Sequence, residues 1–415
     1  MLSSSAHSAI PVGAQIFDLV FHPTFATVYV GLLTGHVKAF AYDSKGNYES
    51  TFTIQPSKRS CRGLSINDDG SQLYAVGKAK SFHVIDTMTQ QMDTRTKVHD
   101  SAINRVKCIT HDLVATGDDD GVIKLWDLRQ RDCLRTYRQH FDYISDFLWL
   151  DDKKQLVTTS GDGSLSVMDV RSKKQEPIAH SEDQEDELLS IVAIKGGAKA
   201  VVGTQLGVLS IFNRNKGWGD CVDRVPGHPM SIDALCNFPS DIPGIDAGST
   251  ILTGSSDGYV RAVQLFPTKL LGAVTDHGEW PVERIAVGEG RRQLTIEPKV
   301  SAKDPDGRSI HRRGNEDDDE NGHLSGPWWV GSVGHEEILR MSNLNAFCCK
   351  EDRDAASDLE TGLAGASDGG SGKSDAEQSN SDGGARKTKK RKHKREKEPL
   401  ELKRRKGRNE IEDAL

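Results

Sequence analysis

GDDDGVIKLWDLR, residues 117 to 129, runs three aspartates and a glycine into an alternating apolar strand that ends Trp126-Asp127. Taken alone it is a hairpin, with Gly121 free to adopt the positive φ of a tight turn. Its significance depends on recurrence, because a fixed period marks a repeat architecture.

The stretch recurs. LLTGHVKAFAYD (32–43), VGKAKSFHVID (76–86), TGDDDGVIKLWD (116–127), TSGDGSLSVMD (159–169), GTQLGVLSIFN (203–213), TGSSDGYVRAVQL (253–265) and VGSVGHEEILRM (330–341) share the turn-then-strand layout. Most follow another apolar strand, such as FDLVFHP (17–23), INRVKCI (103–109) or VERIAV (282–287), and His99, His140, His180, His228 and His277 precede several of these. The turn moves from about 35 to 80, 121, 163, 207 and 258, in steps of 45, 41, 42, 44 and 51. That matches the period of WD repeats, with four strands per blade. The last step, to 334, is 76 because a polar insertion fills about 290 to 326. Residues 1–349 are thus expected to form an all-β, seven-bladed WD40 β-propeller. A blade cannot bury both of its faces alone, so neighbours must cover them and the ring must close. AIPV (9–12), just before the first strand, is expected to supply the outer strand of the seventh blade; the rival is LNAFCC (344–349).

By resemblance to the WD repeat consensus, His99, Thr116, Asp120 and Trp126 occupy the positions of its structural hydrogen-bond tetrad. A buried aspartate needs donors, and a histidine N–H and turn amides supply them. The fourth unit keeps His140, Thr158 and Asp162 with Met168 in the tryptophan position; the sixth keeps His228, Thr253 and Asp257 with Val263 there. The first, second, fifth and seventh units lack most of the set and are expected to rely on apolar packing, for example through Phe40, Ile85, Phe212 and Leu339.

Composition narrows the functional classes. No apolar run approaches the roughly 18–20 residues needed to cross a bilayer. The N-terminal residues lack the basic and apolar regions of a secretory signal. Seven scattered cysteines favour reduced thiols over a disulfide framework. No phosphate-binding loop, G-x-S-x-G elbow, H-E-x-x-H motif or zinc-ligand spacing is present, so neither catalysis nor a metal or other cofactor is expected. The net charge of −7 hides an asymmetry: residues 386–408 hold 14 Lys/Arg against three Glu, residues 409–415 add −3, and residues 1–385 carry −15. The acidic Ser/Gly-rich stretch 350–385 has the composition of a disordered linker. Residues 386–415 read as a disordered basic tail. In it, Arg386, Lys387, Lys389, Lys390, Arg391, Lys392, Lys394 and Arg395, then Lys403, Arg404, Arg405 and Lys406, form a nuclear or nucleolar localisation signal. The tail lacks interleaved aromatics, so any RNA contact is expected to be weak and non-specific. WDLR (126–129) also fits the WD-x-R element by which some propellers dock a ubiquitin-ligase adaptor, with MDVR (168–171) a degraded second copy. Asp127, Arg129, Asp169 and Arg171 are the candidate contacts, against the alternative that each arginine pairs locally.

The N-terminal FDLVFHPTFATVYVGLLTGHVKAFAYD, the strong third repeat, the insertion in the last blade and the Lys/Arg-rich tail together resemble the nucleolar WD-repeat protein 55 family, including its fungal members. The resemblance implies a nucleolar scaffold in ribosomal RNA processing and large-subunit biogenesis, monomeric within a larger complex of pre-ribosomal assembly factors. Two alternatives remain open: a substrate receptor of a cullin–RING ubiquitin ligase, and a histone-tail reader using the acidic body.

Overall fold

The computed structural model describes residues 7–290 and 326–349. They form seven four-stranded antiparallel sheets. Six sheets are continuous in sequence. Blade one, for example, runs from the inner strand Ile16–Phe21 through Thr27–Leu32 and Val37–Tyr42 to the outer strand Tyr48–Ile54. The seventh is composite: Val282–Glu289, Trp328–Gly334 and Ile338–Asn343 are completed by His7–Pro11, with Ile10 opposite Leu339 and His7 opposite Ser342. The N-terminal segment therefore closes the ring, as its sequence position suggests. Residues 344–349, the rival donor, are helical and pack Leu344 and Phe347 into the cluster between blades six and seven.

The core is divided in the same way. Seven apolar clusters form, each spanning one boundary between neighbouring blades. Trp126 of blade three stacks on Phe82 of blade two at 6.2 Å, and Trp329 of blade seven lies fully buried among residues of blade one. Each fully buried large apolar side chain stabilises the ring by about 1.5–3 kcal/mol. Phe40, Ile85, Phe212 and Leu339 are all buried at such boundaries.

Every inner strand carries the same irregularity. Its register slips after the first residue: Ile16/Asp18, Cys61/Gly63, Ile103/Arg105, Ile144/Asp146, Leu188/Ser190, Ile232/Ala234 and Val282/Arg284. A bulge leaves one residue unpaired and re-aims its side chain. Seven residues, one per blade, are thereby released from the ladders at one end of the central channel.

The 291–325 part of the insertion, the linker from 350 and the whole basic tail lie outside the described residues.

Candidate interaction site: the loop face and the channel mouth

Two kinds of loop meet on one face of the ring: the turns between second and third strands, and the links between blades. Gly121 shows how tightly they fit. It has φ of 76°, and a Cβ there would sit 2.6 Å from the His140 carbonyl oxygen and 2.8 Å from that of Asp142, in the link to blade four.

Histidine networks fix these loops. In blade three, His99 Nδ1 lies 2.7 Å from Asp118 Oδ2, and its Nε2 lies 2.7 Å from Thr116 Oγ1. Trp126 Nε1–H donates to the same threonine oxygen at 2.8 Å. One assignment satisfies every group: tryptophan donates to threonine, threonine to histidine Nε2, and histidine Nδ1–H to the carboxylate. Burial keeps the imidazole pKa below its usual value, consistent with a neutral ring that both donates and accepts. The carboxylate of this network is Asp118 rather than the expected Asp120. Asp118 ends its strand and is buried, and its Oδ1 accepts the turn amides of Asp120 and Val122 at 3.1 and 2.8 Å; Asp120 is exposed.

Blade four differs. His140 Nδ1 meets Asp162 Oδ2 at 3.0 Å, as expected, but its Nε2 meets Ser166 Oγ at 2.7 Å rather than Thr158. Ser166 stands opposite Thr158 in register, and the Thr158 hydroxyl is buried with no hydrogen-bond partner. With Met168 in the tryptophan position, no indole N–H remains to draw that threonine into the chain. Ser160, which ends this strand where Asp118 ends its own, lacks a carboxylate, and Asp162 two residues later takes the role.

In blade six, His228 bonds Thr253 Oγ1 at 2.9 Å, but Asp257 turns away from the histidine. Both its oxygens are taken by Arg261, at 2.9 and 2.6 Å. Burial, and then the nearby Arg261 charge, lower the His228 pKa to about 4. Blade seven holds a network that its poor match to the consensus concealed. His277 Nε2 bonds Ser332 Oγ at 2.8 Å, and Glu336 receives Arg340 at 2.7 and 2.9 Å. His277 Nδ1 also stands 2.5 Å from Glu336 Oε1. The signal was present as His277 with an acid four residues past Ser332, but glutamate for aspartate and serine for threonine hid it. His180, by contrast, is exposed, its ring lying 5.5 Å from that of His140.

The seven bulge residues, Phe17, Arg62, Asn104, Ser145, Leu189, Asp233 and Glu283, together line a cavity of about 270 Å³ at the channel mouth, with Arg105, Tyr143 and Arg284. Below it the channel interior encloses about 360 Å³. Polar side chains staple adjacent blades there. Asp18 accepts the amides of Leu19 in its own blade (2.9 Å) and Leu64 in the next (2.7 Å). Asp146 repeats the pattern with Phe147 (2.8 Å) and Ile191 (3.1 Å). Arg105 donates to the Ser145 carbonyl, and Ser190 to that of Ile232. Burial raises the Asp18 carboxyl to about 6 and Asp146 also upward, while Arg105 pulls both down. These acids sit in a channel and are strongly perturbed, but each is committed to backbone amides of two blades, which is a structural role.

A model of the WDR55 family matches residues 7–296, spanning six blades and the inner and outer strands of the seventh. The chain belongs to the WDR55 family. It is 63% identical to WD repeat-containing protein JIP5 of Laccaria bicolor over 357 residues, covering 83% of this chain and 77% of that one. It is 34% identical to WD repeat-containing protein 55 of Arabidopsis thaliana over 290 residues (69% and 78%), and 35% identical to the rat protein of that name over 280 residues (67% and 70%).

In this WDR55-family ring, the WD-x-R arginines project from the opposite face. Arg129 forks onto Asp127 at 2.9 and 2.7 Å, and Arg171 onto Asp169 at the same two distances. Both arginines are largely exposed, and each is the immediate partner of its own aspartate. Among the described residues, no three His, Cys, Asp or Glu side chains converge as a metal would require.

Proposed function

We propose that this protein is a non-catalytic scaffold of the nucleolus that holds assembly factors together during ribosomal RNA processing and large-subunit assembly. Membership of the WDR55 family carries the reading. Two physical features support it. The polar groups of the ring are committed to holding loops and blades in place, which suits a rigid platform. Function on such a platform belongs to loops positioned by a scaffold, and here the links between blades share one face with a wide channel mouth. The basic segment 386–408 is read as the address, with weak, non-specific RNA contact through its lysines and arginines.

Affinity purification from nuclear extract tests this. Pre-ribosomal assembly factors should co-purify, and removal of 386–415 should spread the protein into the cytoplasm. Recovery of cullin–RING subunits, lost on changing Arg129 and Arg171 to alanine, would replace the reading with the ligase-receptor alternative. Recovery of nucleosomes alone would replace it with the histone-reader alternative. The forked pairs at Asp127 and Asp169 favour local capping over docking for those arginines.

A further inference from the structure

Three large apolar side chains stand in solvent on the loop face between blades three and six: Phe141 (93% exposed), Leu206 (72%) and Met230 (52%). They belong to one continuous arc. The Phe141 amide donates to Asp162 Oδ2 at 2.9 Å; Tyr143, two residues on, donates to Glu187 at 2.9 Å; the Leu206 amide donates to Asp186 at 3.3 Å. Gly207 lies against the Met230 carbonyl, where an added Cβ would come within 2.6 Å.

The loop segments that build the arc, 139–143, 160–164, 181–187, 205–207 and 228–231, contain seven carboxylates and no lysine or arginine. Of the neighbouring cations, Arg138 turns toward Asp100, Arg224 donates to Gln184 at the outer edge of the arc, and Arg105 lies at the channel mouth beside Tyr143. On the same face, blades one and two instead present Lys58, Arg59, Lys78, Lys80 and Lys97. Exposed apolar groups on a predominantly acidic surface mark a site for a partner of opposite sign.

We propose that this arc docks an extended Lys/Arg-rich segment of a partner protein, one that carries one or two large apolar side chains among its cations. The cations answer the carboxylates, and the apolar groups cover Phe141, Leu206 and Met230. RNA is disfavoured because its phosphates meet seven like charges. The chain's own basic tail matches in charge, but its two large apolar side chains, Leu400 and Leu402, fall in a spacer with Glu398 and Glu401 rather than among the cations. That the partner is an RNA-binding assembly protein rests on the function proposed above; the docking surface itself does not.

The test is fluorescence anisotropy on the full chain at about 0.15 M salt, where surface attraction is screened within roughly 8 Å. Three labelled peptides are compared: a Lys/Arg-rich 15-mer bearing Leu and Phe, the same peptide with those two replaced by glycine, and residues 386–408. The first should bind at least fivefold more tightly than the other two. The triple variant Glu182→Gln, Asp183→Asn, Glu185→Gln should weaken it at least tenfold, and Phe141→Ser about fivefold with no change for the glycine peptide. Circular dichroism checks that each variant is folded; should the triple variant fail there, Phe141→Ser carries the test alone. Equal binding by the triple variant overturns the proposal. So does equally tight binding of 386–408, which would make the chain's own tail the occupant, or concentration-dependent self-association lost in the triple variant, which would make it a second copy. A chain that binds the peptide but recovers no assembly factor keeps the surface and loses the functional reading.

Discussion

Blades three and five keep their shape by different means. Blade three threads a tryptophan, a threonine, a histidine and an aspartate into one buried hydrogen-bonded chain. Blade five has no such chain at the corresponding place and seals its boundary with Leu188, Ile191, Phe212 and Trp218. Apolar burial is tolerant of exact position and insensitive to pH. A buried polar chain is directional: its worth lies in holding one loop geometry, and removing one member leaves the others unpaired in a dry interior.

The largest expected effect falls on the apolar side. Phe212→Ala should lower unfolding stability in denaturant by about 3–5 kcal/mol, the usual cost of a buried aromatic cavity, with the same loss at pH 7 and pH 5. Asp118→Ala should come next at about 3 kcal/mol, since it strands the buried His99 N–H and two turn amides. Asp120→Ala, two residues away and exposed, should stay within about 0.5 kcal/mol. Equal effects at 118 and 120 would show that the turn is not held as described. A finer contrast lies between two threonines at matching positions. Thr116→Val breaks the chain in blade three and should cost about 1–3 kcal/mol. Thr158→Val removes a hydroxyl that has no partner and should be neutral or slightly stabilising, which differential calorimetry of the two variants would separate.

The most diagnostic effect is one of pH. The folded-state pKa of His228 is about 4 against 6.5 ordinarily, so the unfolded chain binds the proton more readily. The neutral ring's contribution is therefore fully present above about 6.5 and is lost as pH falls toward 4. Asp18 acts in the opposite sense: its raised carboxyl, at about 6, favours the folded state as pH falls toward 3.8. The clean measurement is thus a difference. The stability gap between the native chain and His228→Gln should narrow as pH is lowered from 6.5 to 4, by no more than about 3 kcal/mol. A gap that widens would mean that the histidine is charged in the folded ring.

Much of this was legible in the chain itself. The repeat period, the count of seven, the inner strands and the closing segment at 9–12 all follow from apolar alternation interrupted by turns, because strand pairing and blade stacking depend on pattern more than on individual side chains. So did the histidines at the starts of blades three, four, six and seven, and the tryptophan that completes one network. The acid at each histidine was legible only in blade four, where Asp162 meets His140 as expected. Asp118 and Asp120 sit two apart on one turn, and sequence cannot tell which points inward; the turn amides that gather around Asp118 decide it. Thr158 and Ser166 face each other across two strands, so only pairing shows that serine reaches the imidazole. Asp257 is drawn off by Arg261 four residues later, a competition visible only once both side chains share space. The seven bulges that open the channel mouth left no trace in the pattern, because a one-residue slip after the first strand position alters register without altering alternation. Sequence by itself determined the periodic framework, because burial of alternating apolar residues is a one-dimensional signal. Tertiary structure decided the polar contacts, because a hydrogen bond depends on direction and distance among groups far apart along the chain.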